Sequence, residues 1–316
     1  MARLDRAFRS CGVRKHPAKD VTGVSNGCLI GIDLVNGTKF CAEHMKLAVL
    51  LPALLQVLRC PCLTPIALSK LLGAIQWLFL LNRPLLSILH KSYGFARLPN
   101  QRKHQALPLG VQRELAMAVA LLLFCSFDAT KPWANFIMAS GATPSYGFGL
   151  SIRNVSTAFC RRLRRLSEKR GDYVTLLEDG SPDPNPGSRL GNPKLLHLSQ
   201  KSFRTLVSVR CKHVAHAGLL EAHAVRMALD WTARHCANHG KRCVLLTDAR
   251  SVLGAVAKGR SSARTLRRQV NRTSAPSLAA DVTMHYLYVP SKHNPADAPS
   301  MGLIHTNDEC QKASDP

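Results

Sequence analysis

The stretch Cys243–Lys258, CVLLTDARSVLGAVAK, decides how the chain is read. Its first five residues form a short apolar run, the length of a strand buried on both faces. The run ends on one charge, Asp248, after which Val252, Leu253 and Val256 fall on a helical stripe. A strand that delivers a lone carboxylate to its C-terminal edge and then turns into a helix is how α/β folds present an acidic ligand. Asp is also a good helix cap, so Asp248 alone leaves both readings open. What decides between them is whether other carboxylates lie at compatible places.

Upstream, Ser202–Cys211 alternates like a strand, and Leu219–His235 reads as a helix with Leu220, Ala224, Met227 and Trp231 on its buried stripe. Glu221 sits near the start of that helix, where the dipole alone would favour a carboxylate. Further upstream, Trp133–Ile152 reads as a hairpin of strands Phe136–Ser140 and Tyr146–Ile152 around a Pro-Ser turn. The segment Phe159–Arg170 carries Arg161, Arg162, Arg164, Arg165, Lys169 and Arg170. It is a phosphate-contacting patch, a nuclear-targeting run or a solvated helix face, and the global charge favours phosphate contact. Gly180–Gly187, rich in Pro and Gly, reads as a surface loop. Downstream, Ser261–Arg272 is basic and helical, Met284–Val289 is a last strand, and PSKHNPADAPS places His293 and Asp297 four apart.

Hairpin, strand, helix with Glu, strand with Asp, helix, strand and final Asp is the ribonuclease H order. The segments HAGLLEAHAVRMALDW, VLLTDARSVLGAVAKGRSS and YVPSKHNPADAPS resemble the motifs of retroelement ribonuclease H domains, the last being the most specific. The resemblance covers Trp133 to about Met301, with a long basic insert after the second strand. It implies an α/β fold: a ribonuclease H-like mixed sheet flanked by helices, preceded by a mainly helical thumb/connection region.

The resemblance also implies a chemistry. Such domains hydrolyse the RNA strand of an RNA–DNA hybrid with two Mg2+ ions ~4 Å apart, held by four converging carboxylates. By motif match three of the four are Glu221, Asp248 and Asp297, and His293 would assist product departure. The fourth belongs in a strand-Asp-Ala-Ser/Thr-Pro context. Here Ser140-Gly141-Ala142-Thr143-Pro144 has Gly141 in its place, so the position that would bridge both ions offers no side-chain oxygen. Ser140 and Thr143 are neutral substitutes, and Asp128 precedes Trp133 on what reads as another element. The implied two-metal site is therefore degenerate, with hydrolysis impaired. The alternative is a non-catalytic, basic nucleic-acid-binding remnant.

The N-terminal half extends the likeness. A helix over Leu4–Cys11, then Lys19, a Gly-Val pair and the strand-like CLIGIDL ending at Leu34 resemble the palm-to-thumb passage of retroelement reverse transcriptases. Asn36-Gly37 marks a hairpin turn. Leu47–Leu58 is an apolar helix that Pro52 should bend or break. Thr64-Pro65 starts a helix reaching about Asn82, and TPIALSKLLGAIQWLFLLNRPLLSILHKSYGF resembles the thumb and connection helices. Residues 96–108 read as a linker and Gly110–Phe127 as one more helix. No Asp-Asp pair occurs, so polymerase activity is not expected. The expected division is 1–44 palm remnant and hairpin, 45–127 helical thumb/connection-like region, 128–301 ribonuclease H-like domain with a basic insert at about 154–200, and 302–316 a disordered tail.

Composition points the same way. Against 19 acidic residues stand 43 Lys and Arg, a formal charge of +24 over 316 residues. A polyanion, most simply nucleic acid, balances such an excess, with Lys258, Arg260 and Lys292 joining the arginines as candidate contacts. An anionic membrane surface is the runner-up, but Phe159, Leu163 and Leu166 make too narrow an apolar stripe for it. No apolar run reaches the ~20 residues of a membrane span. The first ten residues are charged throughout, unlike a signal peptide, so an intracellular, nuclear or cytoplasmic protein is expected. The eleven cysteines match no standard zinc spacing, including the cluster His235, Cys236, His239 and Cys243.

Overall fold

The protein is described from a computed structural model, which covers residues 6, 8, 10–12, 23–167, 173–176, 193–213 and 215–304. Lys19, the loop 180–187, Lys169, Arg170 and residues 305–316 of the expected tail lie outside the described residues.

The first described strands form a meander. β1 (Gly27–Leu29), β2 (Ile32–Val35) and β3 (Lys39–Ala42) pair antiparallel. CLIGIDL is thus two strands and not one. Ile30 (φ 54°) and Gly31 (φ 75°) turn between them, both in the left-handed region that a two-residue hairpin needs. Asn36 (φ 51°) and Gly37 (φ 67°) make the next turn, as their pairing predicts.

Helix α1 (His44–Arg59) continues through Pro52 without a break, with Leu50, Leu54 and Val57 buried along one side. After β4 (Cys62–Leu63), Thr64 caps α2 (Pro65–Phe79) by accepting from the Ala67 N–H at 3.3 Å. A 3-10 turn over Arg83–Ile88, α3 (His90–Ala96), β5 (Gln105–Ala106) and α4 (Leu109–Leu121) follow. The expected helix to Phe127 ends early. Its last residues instead form β6 (Ser126–Asp128), which pairs with β3 and sets Phe127 opposite Phe40, their ring centroids 6.2 Å apart. Leu54, Leu68, Ile75, Phe79 and Leu115 anchor the apolar cluster of this region.

The second region is built on one sheet. β7 (Trp133–Ala142), β8 (Gly147–Asn154), β11 (Arg204–Arg210), β12 (Arg242–Thr247) and β13 (Thr283–Tyr288) lie in the order β11-β8-β7-β12-β13. The first three are antiparallel, and β7, β12 and β13 are parallel. Between β8 and β11 the insert contributes α5 (Thr157–Leu163) and a parallel pair, β9 (Tyr173–Leu176) with β10 (Pro193–Leu196). Helices α6 (Ala217–Arg234), α7 (Arg250–Lys258), α8 (Arg264–Ala279) and the short α9 (Asp297–Ser300) complete the chain.

Alternation along β12 explains the layers. Cys243 and Leu245 pack with Val225, Leu229 and Val252 from α6 and α7, while Val244 and Leu246 pack with Cys160, Leu163 and Phe203 on the other face. Both faces are covered, as the continuous apolar run requires. Three antiparallel strands continued by two parallel ones, flanked by helices, is a ribonuclease H-like fold. The two regions meet where Gly259 (φ 66°) ends α7: a Cβ there would overlap the Arg83 carbonyl oxygen, and Arg83 Nη1 donates to Ala257 O at 3.1 Å. Among the described residues no helix is long and apolar enough to cross a membrane.

Candidate active site at the ends of the central strands

β7 and β12 run parallel and in step, Ser140 opposite Thr247, so their C-terminal ends share one edge of the sheet. Asp248 follows Thr247 directly. It does not cap α7, whose first turn takes no side-chain cap bond. Its Oδ2 accepts from the Ser291 hydroxyl at 2.6 Å, and its Oδ1 is buried without a hydrogen-bond partner.

Glu221, in the second turn of α6, reaches across to the same edge. Its Oε1 accepts from the Ala142 N–H at 3.1 Å, and its Oε2 is buried without a partner. Burial, then the nearby Asp248 charge, push its carboxyl up to about 8; the Ala142 bond opposes this, and Asp297 adds to it. Asp297 opens α9 and is itself raised by burial and by Asp248. Three acids far apart in the sequence therefore feel one another at one edge, through repulsion that favours the protonated form.

Gly141 stands beside them, next to Ala142. A Cβ built on it would lie 3.2 Å from Ala296 O and 3.2 Å from Asn294 Nδ2. The loop that carries Asp297 thus closes on the place where a side chain would stand. Asn294 pins it, donating to Ser140 O at 3.0 Å and accepting from the Ala296 N–H at 3.1 Å, while Ser151 Oγ donates to Pro295 O at 2.9 Å. A Cβ on Gly149 would overlap Ala296 O. Sequence reading missed Ser291, Asn294 and Gly149, although the glycines of YGFGLS and the Asn of KHNPAD were visible signals.

The donors present do not fit a two-ion centre. Two orphaned carboxylate oxygens are what a hard cation would take. Yet Gly141 supplies no oxygen, and among the described residues no group of three His, Cys, Asp or Glu side chains lies close enough to hold a metal ion together. Thr143 Oγ1 is engaged with Ser145 Oγ at 2.9 Å. Asp128 lies on β6 in the other sheet, bound to Thr130, and does not fill the gap. His293 lies in the 3-10 turn Ser291–His293, between the partner of Asp248 and Asp297.

The candidate cationic residues do not gather around the acids. Lys292 sits next to Ser291 at that edge, but Lys258 and Arg260 lie at the far end of α7, beside Gly259. Arg161, Arg162, Arg164 and Arg165 surround Pro132 and Trp133, at the start of β7 and so at the opposite edge. In the His/Cys cluster the ring nitrogens face backbone carbonyls. His235 Nδ1 lies 2.8 Å from Trp231 O, His239 Nε2 lies 2.7 Å from Ala233 O, and Cys243 is buried within β12.

No family model and no curated protein matches the sequence. Among solved structures, the chain is similar to the N-terminal ribonuclease H domain of a Mycobacterium tuberculosis protein, solved as a fusion with maltose-binding protein. Identity is 13% and the TM-score 0.27, over 56% of this chain and 93% of that one. It is also similar to a foamy viral protease–reverse transcriptase in complex with double-stranded DNA, at 10% identity and a TM-score of 0.29, over 83% of this chain and 37% of that one. The ribonuclease H-like fold itself rests on the sheet order, the strand directions and the two buried faces described above.

Proposed function

We propose that the chain is a nucleic-acid-binding protein of the ribonuclease H type, of retroelement reverse-transcriptase ancestry, that engages RNA–DNA hybrid and whose hydrolytic centre is incomplete. The observation that carries this is the edge at Gly141: Glu221 and Asp248, each with a buried carboxylate oxygen that has no hydrogen-bond partner, and Asp297 stand beside a position with no side chain. Mg2+ would supply water activation and leaving-oxygen stabilisation in a complete site. Here Glu221, Asp248 and Asp297 would be the carboxylates to hold such an ion, and Gly141 adds none. The formal charge of +24 supports backbone binding, which is insensitive to the loss of the bridging acid. An intracellular, nuclear or cytoplasmic setting goes with this reading.

The test is fluorescence anisotropy of the whole chain with an 18-base-pair RNA–DNA hybrid across a salt series, together with gel-based cleavage in 10 mM MgCl2. Expected are a steep loss of affinity with salt and no cleavage above background. Salt-insensitive binding would remove the nucleic-acid reading. Robust cleavage abolished by Asp248→Asn would show instead that three carboxylates suffice.

A further inference from the structure

At the edge of the sheet opposite the carboxylates, Trp133 and Arg242 face each other at the starts of β7 and β12. Two concavities meet there. An open groove of about 1150 Å3 is floored by Pro132 and Trp133 and rimmed by Arg161, Arg162, Arg164 and Arg165, all exposed. A cavity of about 490 Å3, toward the N-terminal helices, is lined by Arg164, Ser167, His285, Lys131 and Asn82. Arg164 borders both.

Beside them lies Arg242, only 3% exposed. Its guanidinium sits 5.3 Å from the Phe127 ring centroid and 5.6 Å from that of Trp133. Nη2 donates to the Asp128 carbonyl oxygen at 2.7 Å, but Nε is buried without a hydrogen-bond partner. The His285 ring lies 4.8 Å from Trp133, with its Nε2 likewise buried and unpartnered. Arg242 and His285 are both held below their ordinary proton affinity, by burial first and then by neighbouring arginines. Among the described residues none of these five arginines forms an ion pair with a carboxylate. Of the described acids at this end, Asp281 lines the cavity and pairs with Lys131 at 2.5 Å, and Asp128, whose charge acts on Arg242, has its Oδ1 taken by the Thr130 N–H and hydroxyl.

Cations that outnumber the described acids in a partly dry concavity repel one another, and an anion relieves that repulsion. We propose that this arginine-rimmed groove and its adjoining cavity form a second nucleic-acid site, which takes the phosphodiester backbone of a duplex at the edge opposite the carboxylates. The inference rests on the nucleic-acid reading above and adds a location to it. Trp133 is buried and Phe159 lies under the Arg162 guanidinium, so the groove offers no open ring for an unstacked base. Recognition is therefore through phosphates and independent of sequence. Six strand steps of ~3.3 Å separate Arg242 from Asp248, ~20 Å, so a duplex longer than about six base pairs is needed to span the two edges.

The test compares the whole wild-type chain, a quadruple Arg→Ala variant at 161, 162, 164 and 165, and the quadruple Arg→Lys variant. Each is titrated with the labelled 18-base-pair hybrid between 50 and 300 mM NaCl. Circular dichroism melts check folding, and the rim double variant Arg161→Ala/Arg165→Ala decides if the quadruple Ala variant does not fold. Each lost phosphate contact lowers the slope of log K against log salt by about 0.9. The quadruple Ala variant should lose about 2 to 3.6 from the slope, the double about half that, and the Lys variant little. A folded Ala variant with wild-type affinity and slope would overturn the second site while leaving nucleic-acid binding intact. Absence of salt-dependent binding in the wild type would overturn both.

Discussion

Restoring the missing acid with Gly141→Asp tests the site most directly. The backbone at 141 is an ordinary strand conformation, so the new residue meets no dihedral penalty. Its Cβ, however, would lie 3.2 Å from Ala296 O and Asn294 Nδ2, and the Asn294–Asp297 loop must retreat by a few tenths of an ångström. Such overpacking costs about 1–3 kcal/mol. A further carboxylate beside Asp248, Asp297 and the buried Glu221 adds to this, so the metal-free variant should lose about 2–4 kcal/mol in all. For a domain of this size that lowers Tm by roughly 4–16 °C. A divalent ion reverses the sign, because binding to the native state adds about 2.7 kcal/mol when the ion is at 100 times its Kd. Circular dichroism melts with EDTA and with 10 mM MgCl2 read both effects. Wild type should shift by about 1 °C or less with Mg2+, whereas Gly141→Asp should recover several degrees and gain Mg2+-dependent cleavage of hybrid. If Gly141→Asp gains no more Tm from Mg2+ than wild type does, Gly141 is not the vacant ligand position.

Glu221 holds its proton up to about pH 8 when folded, against about 4.5 in an unfolded chain. Between those values the native state binds more protons, so wild-type stability should fall as pH rises, by on the order of 3–4 kcal/mol. Urea melts at pH 5.5 and 8.5 should show that fall in wild type and not in Glu221→Gln; parallel curves would refute it. His285 behaves in the opposite sense, since burial and then Arg242 and Arg164 bring it down to about 4. Stability should drop by on the order of 3 kcal/mol as pH falls from 6.5 to 4, and His285→Phe should flatten the acid limb of a pH–stability profile. Gly259→Ala forces both a left-handed alanine and an overlap with the Arg83 carbonyl. It should cost about 2–4 kcal/mol and speed proteolysis between the helical region and the sheet. Unchanged cleavage kinetics would mean that the contact at Arg83 does not hold the two together.

Much of the sheet was legible because burial on one or two faces writes a period into the residues. The run Cys243–Thr247 reads as a doubly covered strand, and the Leu220–Trp231 stripe as the buried face of a helix. Where local patterns competed, pairing across distance prevailed. CLIGIDL is apolar enough for one strand, yet Ile30-Gly31 turns because β1 and β2 gain a ladder from it. The run toward Phe127 has helical composition, yet its last residues leave the helix to pair with β3. Pro52 did not end α1, whose packed side holds the helix across it.

Residue identity along the chain determined which acids could reach the end of the central strands, that one of their number is glycine, and that the molecule is strongly basic. Only the tertiary structure decided that Ser291 and Ala142 hold the acids, that the Asn294 loop closes on Gly141, and that the arginines stand at the opposite edge. The reason is physical. Strand and helix periods follow from each residue and its near neighbours, whereas distance between charges depends on strand order and register, which no local pattern encodes.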